Sequence, residues 1–112
     1  MESILMSVKE LLGIKDDDDA FDKELILHIN GVLGALFQIC PLLPNGFRIT
    51  GADETWSDYT EDEARIEFVK PYVAFKVKMV FDPPTGGVLE ALKERIAELE
   101  WRLSIADTES SG

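Results

Sequence analysis

The apolar residues Phe21, Leu25, Ile26, Ile29, Val32, Leu33, Leu36, Phe37 and Cys40 recur at spacings of one, three and four between an acidic run and Pro41. A strand would send alternate residues to opposite faces, whereas this period gathers them on one broad stripe of a helix. The chain must therefore supply other elements to cover that stripe, which predicts a central core helix. Pro41 cannot continue it. The run Asp16, Asp17, Asp18 and Asp19 lies where unpaired backbone N–H groups and the positive end of a helix dipole favour carboxylates, so it reads as the helix start. Gly31 and Gly34 fall inside the helix at a propensity cost of about 1 kcal/mol each; either another backbone approaches them closely or the helix tolerates them.

Around this element the pattern is mostly helical. Ile4, Leu5, Val8, Leu11 and Leu12 are helically spaced, with Ser3 placed as N-cap and Gly13 as stop. Near the other end, Leu89, Leu92, Ile96, Leu99 and Leu103 form a heptad-like seam, with charged residues on the remaining faces. Residues 41–60 contain Pro, Gly and polar clusters and read as a long loop, with a short strand or hairpin admitted at residues 47–50. Residues 65–81 satisfy two templates at once. Val73, Phe75, Val77, Met79 and Phe81 alternate as in a strand, while Ile66, Val69, Val73, Val77 and Val80 keep helical spacing, and Pro71 suits a first helical turn. Asp82, Pro83 and Pro84 end the element, and Thr85 is placed to cap the next.

At 112 residues the chain suits a single domain over residues 1–105, with a loose polar tail over residues 106–112. Twenty-two acids against eleven bases give a formal charge of −11, which opposes binding to phosphate backbones. One cysteine makes no intrachain disulfide and fits synthesis in a reducing cytoplasm. No basic leader and no apolar run of membrane-spanning length is present, so neither export by a signal peptide nor a membrane partner is expected.

Tests for catalytic chemistry return little. His28 and Cys40 are the only residues of their kinds, and on one helix they stand about 18 Å apart, too far for a nucleophile–base pair. One imidazole and one thiol cannot make a structural zinc site. The aspartate run lacks the glycine and terminal glutamate of a calcium loop. Thr85, Gly86 and Gly87 lack the lysine of a phosphate-binding loop. The acid groups Asp53, Glu54, Glu61, Asp62 and Glu63 could serve acid–base catalysis, but adjacent carboxylates are usually solvated. The expectation is no enzyme and no cofactor.

Two stretches carry a resemblance. Residues 69–85, VKPYVAFKVKMVFDPPT, followed by residues 96–103, IAELEWRL, resemble the head-tail connector proteins of tailed bacteriophages, and residues 8–14, VKELLGI, are similar to that family's opening. The resemblance implies an all-α fold: a small bundle of about four helices, a long loop between helices 2 and 3, and a long amphipathic C-terminal helix. It implies that residues 69–81 are helical, which decides for a helix over residues 65–81, with Pro71 as a departure from the pattern. It further implies a structural virion protein, an adaptor that assembles with its own copies into a ring of about a dozen. That ring would sit at the neck, below the portal protein and above a stopper or tail protein, and pass DNA without gripping it. The alternative is a helical assembly chaperone or bacterial regulatory domain.

A ring subunit presents two different complementary patches. Large amphipathic side chains often anchor such patches, so the candidate interface residues are Phe47, Trp56 and Tyr59 on the loop, with Trp101, Arg102 and Ile105 near the chain's end. The competing role for the aromatics is as satellite core that pins the loop. The tail beyond Ile105 is expected to order on docking to the portal.

Overall fold

The computed structural model describes the backbone of residues 2–111 and the side chains of residues 2–105. It contains α1 (Ile4–Leu12), α2 (Asp22–Ile39), α3 (Trp56–Tyr59), α4 (Glu63–Phe81) and α5 (Gly86–Ser111). Among the described residues there is no strand, only an isolated antiparallel bridge between Ser3 and Thr55. The fold is thus the expected small all-α bundle, with a fifth, one-turn helix inside the long loop. The expected loose tail over residues 106–112 falls on side chains outside the described residues.

Local signals fixed the ends of α1. The Ser3 hydroxyl accepts from the Met6 N–H at 3.2 Å, and Gly13 takes the left-handed conformation, with φ 78°, that closes the helix. The acidic run behaves differently from the expectation. It forms turns ahead of α2, with Asp18 Oδ1 accepting from Ala20 N, while α2 begins at Asp22 and has no side-chain cap. Asp22 and Glu24 occupy the first turn instead, where the dipole favours them. Asp22 has a second role. The Lys9 ammonium, 1% exposed, lies 2.9 Å from Asp22 Oδ1 in an ion contact whose direction falls short of a hydrogen bond, and it donates to the Asp16 carbonyl at 3.3 Å. One buried cation thereby ties α1, the acidic turn and α2 together.

The central helix is α4, a correction to the expectation that α2 would be. It packs against each of the other four helices. Val69, Tyr72, Val73, Ala74 and Val77 are buried, while Ile66, Phe68, Phe75, Met79 and Phe81 are partly buried against the same core. A helix covered from several directions is apolar on several faces, and this is why its sequence satisfied the strand template as well as the helical one. Pro71 sits within the helix rather than in its first turn, where its ring nitrogen cannot donate to the preceding turn. Asp82 forms the C-cap ahead of the two prolines.

Packed on α4 and touching each other, α2 buries Leu25, Ile29, Leu33 and Leu36, and α5 buries Ile96, Leu99 and Leu103. Tyr72 donates from its hydroxyl to Glu100 Oε2 at 2.7 Å, tying α4 to α5. Gly31 and Gly34 do not serve close packing within the chain: both are exposed, and a Cβ at either would meet nothing within 4 Å.

The strand admitted at residues 47–50 does not form, because its backbone groups are claimed by a side chain. Asn30 on α2 donates from Nδ2 to the Ile49 carbonyl at 2.9 Å and accepts the Ile49 N–H at Oδ1 at 2.7 Å. One amide thus satisfies both backbone groups of a buried residue, as a neighbouring strand would. Asn30→Ala should orphan both groups and lower unfolding stability by about 2 kcal/mol in a denaturant titration.

Candidate interaction surface

The six residues singled out in the sequence separate into two groups. Trp56 and Tyr59 are core residues, 3% and 2% exposed, and in the isolated chain they pin the loop instead of presenting a face. Trp56 donates from Nε1 to Ser7 Oγ at 2.8 Å, and Ser7 in turn donates to backbone carbonyls of α1. Tyr59 meets the half-buried Phe47 edge to face, with ring centroids 5.3 Å apart. Burial pushes the Tyr59 hydroxyl well above its ordinary range, with the nearby Cys40 adding to the effect.

The loop that carries these residues is closely tethered. Ile4 N donates to the Glu54 carbonyl at 3.0 Å and Trp56 N to the Glu2 carbonyl at 3.2 Å, so the loop's end pairs with the start of α1. Thr55 and Asp58 form a capping box that starts α3. The Glu54 carboxylate accepts from Thr50 N at 2.9 Å, Thr50 Oγ1 at 2.8 Å and Gly51 N at 3.4 Å. Burial pushes this carboxyl upward, but the hydrogen bonds from Thr50 and Gly51 outweigh that and hold it below its usual range.

Trp101, Arg102 and Ile105 lie together on α5. Leu99 and Leu103, two positions either side of Trp101, are fully buried, so at 100° per residue Trp101 stands opposite the core and is 59% exposed. Ile105 is one turn further along the same face and half-buried. Arg102 lies to one side, its guanidinium carbon 5.9 Å from the Phe68 ring centroid. Glu98 is bridged by Arg95 and by Arg102, so the border of the Trp101 face carries paired charge. An indole this exposed, beside a charge-matched border, has the make-up of an interface anchor.

A second exposed face was missed in the sequence, although its signal was there. No Asp, Glu, Lys or Arg occurs in residues 25–47, in a chain where such residues make up 29%. Half of that span is core, but Leu27, at 67% exposed, and Gly31, Gly34, Ala35 and Gln38 face solvent. Periodicity reads the buried stripe and passes over the absence of charge on the other side.

Groups for chemistry do not converge. His28 Nε2 is 3.9 Å from Glu24 Oε1 one turn away, and Cys40 is buried at the end of α2. Among the described residues no three His, Cys, Asp or Glu side chains are grouped to hold a metal ion, and no helix is long and apolar enough to cross a membrane.

Compared with known families, residues 4–110 match the family model described as phage connector protein. No curated protein and no solved structure matches the chain.

The Glu54 network makes loop anchoring pH-dependent. A carboxyl with a lowered pKa contributes stability above its ordinary value of 4.5, and that contribution fades as pH falls through the lowered value. In a Trp101→Phe background, Trp56 fluorescence should report loosening of the loop only below pH 4.5. Glu54→Gln should remove that acid transition.

Proposed function

The chain belongs to the phage connector protein family, whose members are structural virion proteins, and from that premise we propose that it is a neck adaptor that closes into a ring of its own copies below the portal. The match covers nearly the whole chain, so the role falls on this bundle as a unit: one domain over residues 1–105, with the residues beyond it ordering against the portal. Synthesis in the host cytoplasm and residence at the virion neck complete the assignment.

The observation that carries the reading beyond the family is the Trp101 face. A monomer gains nothing from turning a large indole away from its core, whereas a subunit with a neighbour buries it. Trp101, Arg102 and Ile105 are therefore assigned to one subunit or partner contact, with Phe47 at the edge of the loop as a secondary contributor.

The formal charge of −11 fits a conduit for DNA. Carboxylates facing the lumen repel phosphates and let the duplex slide, where a basic lining would hold it through counterion release. The same charge opposes assembly, because each copy repels the next until salt screens them over about 10 Å at 0.1 M.

Self-association should therefore strengthen as NaCl is raised from about 0.05 to 0.5 M, measured by sedimentation velocity, the reverse of what a contact held by ion pairs would do. Native mass spectrometry with the cognate portal should show rings or portal decorated by many copies. A dilution-stable dimer indifferent to portal would overturn the adaptor reading in favour of an assembly chaperone or regulatory domain.

A further inference from the structure

We propose that the uncharged outer face of α2, formed by Leu27, Gly31, Gly34 and Gln38, is the seat for the outer face of α5, Trp101 and Ile105, of the adjacent copy. The inference rests on the ring reading and names its two mating surfaces.

The first argument is electrostatic. Residues 1–24 carry eight acids and three bases, and residues 48–112 together carry fourteen acids and eight bases although α4 itself has four bases against two acids, yet residues 25–47 carry no charged side chain. For a chain at −11, the partner hardest to approach is its own copy, since like charges brought face to face oppose docking. The exposed half of α2 is where that approach sets no carboxylate against another. An uncharged face also offers no electrostatic pattern by which a different protein would be selected, so a second copy of this chain is the occupant that the charge distribution favours.

The second argument is shape. Leu27 stands exposed at one end of the face, while Gly31 and Gly34 leave the helix backbone bare where side chains would project, so this face is flat and open to close approach. Among the described residues nothing packs against that bare face, although two interior glycines weaken the helix. On α5 the complementary feature is a projection: Trp101 directly opposite the buried Leu99 and Leu103, with Ile105 one turn on. Its neighbour Glu98 is already paired with Arg95 and Arg102, so the carboxylate nearest the indole is compensated within α5.

The third argument is placement. Both α2 and α5 pack on α4 and turn their outer faces away from it. Two unlike surfaces on separate helices of one subunit make a heterologous contact, which repeats from copy to copy and closes when the rotation allows.

The test uses the full chain with Ala35→Cys on α2, Ala97→Cys on α5, and both together, treated with a short bismaleimide. Both alanines are exposed, and the native Cys40 is buried. The double variant should give a ladder of dimer, trimer and higher species, and each single variant should stay monomeric. Dimers from Ala35→Cys alone would mean that α2 pairs with itself and would overturn the proposal. Rings seen by electron microscopy without a ladder would overturn it while leaving the ring reading intact. No self-association under any condition, portal included, would remove both. As a second readout, Gly31→Glu should weaken self-association about tenfold or more with far-ultraviolet dichroism unchanged; undiminished association would overturn the assignment of α2.

Discussion

Covering α4 from several directions is the constraint from which the rest of the fold follows. Its buried Val69, Tyr72, Val73, Ala74 and Val77 need partners on more than one side, and α1, α2, α3 and α5 supply them. Each surrounding helix can then be amphipathic in the ordinary way, with one buried stripe and one free face. This arrangement leaves the outer faces of α2 and α5 exposed. A chain organised around α2 would have buried one of those faces. The position of α4 therefore settles which surfaces remain for partners.

Much of this architecture was legible in the sequence, and the exceptions have physical causes. Ser3 and Gly13 act as the cap and stop that their chemistry implies, because both signals are local and nothing distant competes with them. The α5 seam of Ile96, Leu99 and Leu103 was equally plain, since only one side of that helix is buried. Residues 65–81 were ambiguous because a helix covered on several sides lacks a single stripe, and the family resemblance, not periodicity, decided for a helix. The short strand at residues 47–50 failed for a reason no local pattern contains. Asn30, distant in sequence, takes both backbone groups of Ile49.

The candidate site was legible in part. Trp101 follows directly from its place between Leu99 and Leu103 on the α5 seam. Trp56 and Tyr59 were chosen for their size and their place in a loop, but a long loop must itself be anchored, and large aromatics do that by burial. Trp56 reaches Ser7 on α1, and Tyr59 meets Phe47 edge to face. The uncharged face of α2 is invisible to periodicity, which reads what residues 25–47 contain and not the charge they lack. In an acidic chain, a span without carboxylates tells where like-charged copies can meet.

Electrostatics and packing thus divide the molecule's surfaces between two duties. In the proposed ring, the acidic exterior keeps copies apart and lets nucleic acid pass, while the α5 indole and the uncharged face of α2 bring copies together. A cryo-electron microscopy map of the assembled neck complex tests this account most directly. The account predicts a closed collar in which the Trp101 indole of each subunit rests on its neighbour's α2 near Gly31 and Gly34. A collar with that face of α2 open to solvent, or filled by a different protein, would contradict it.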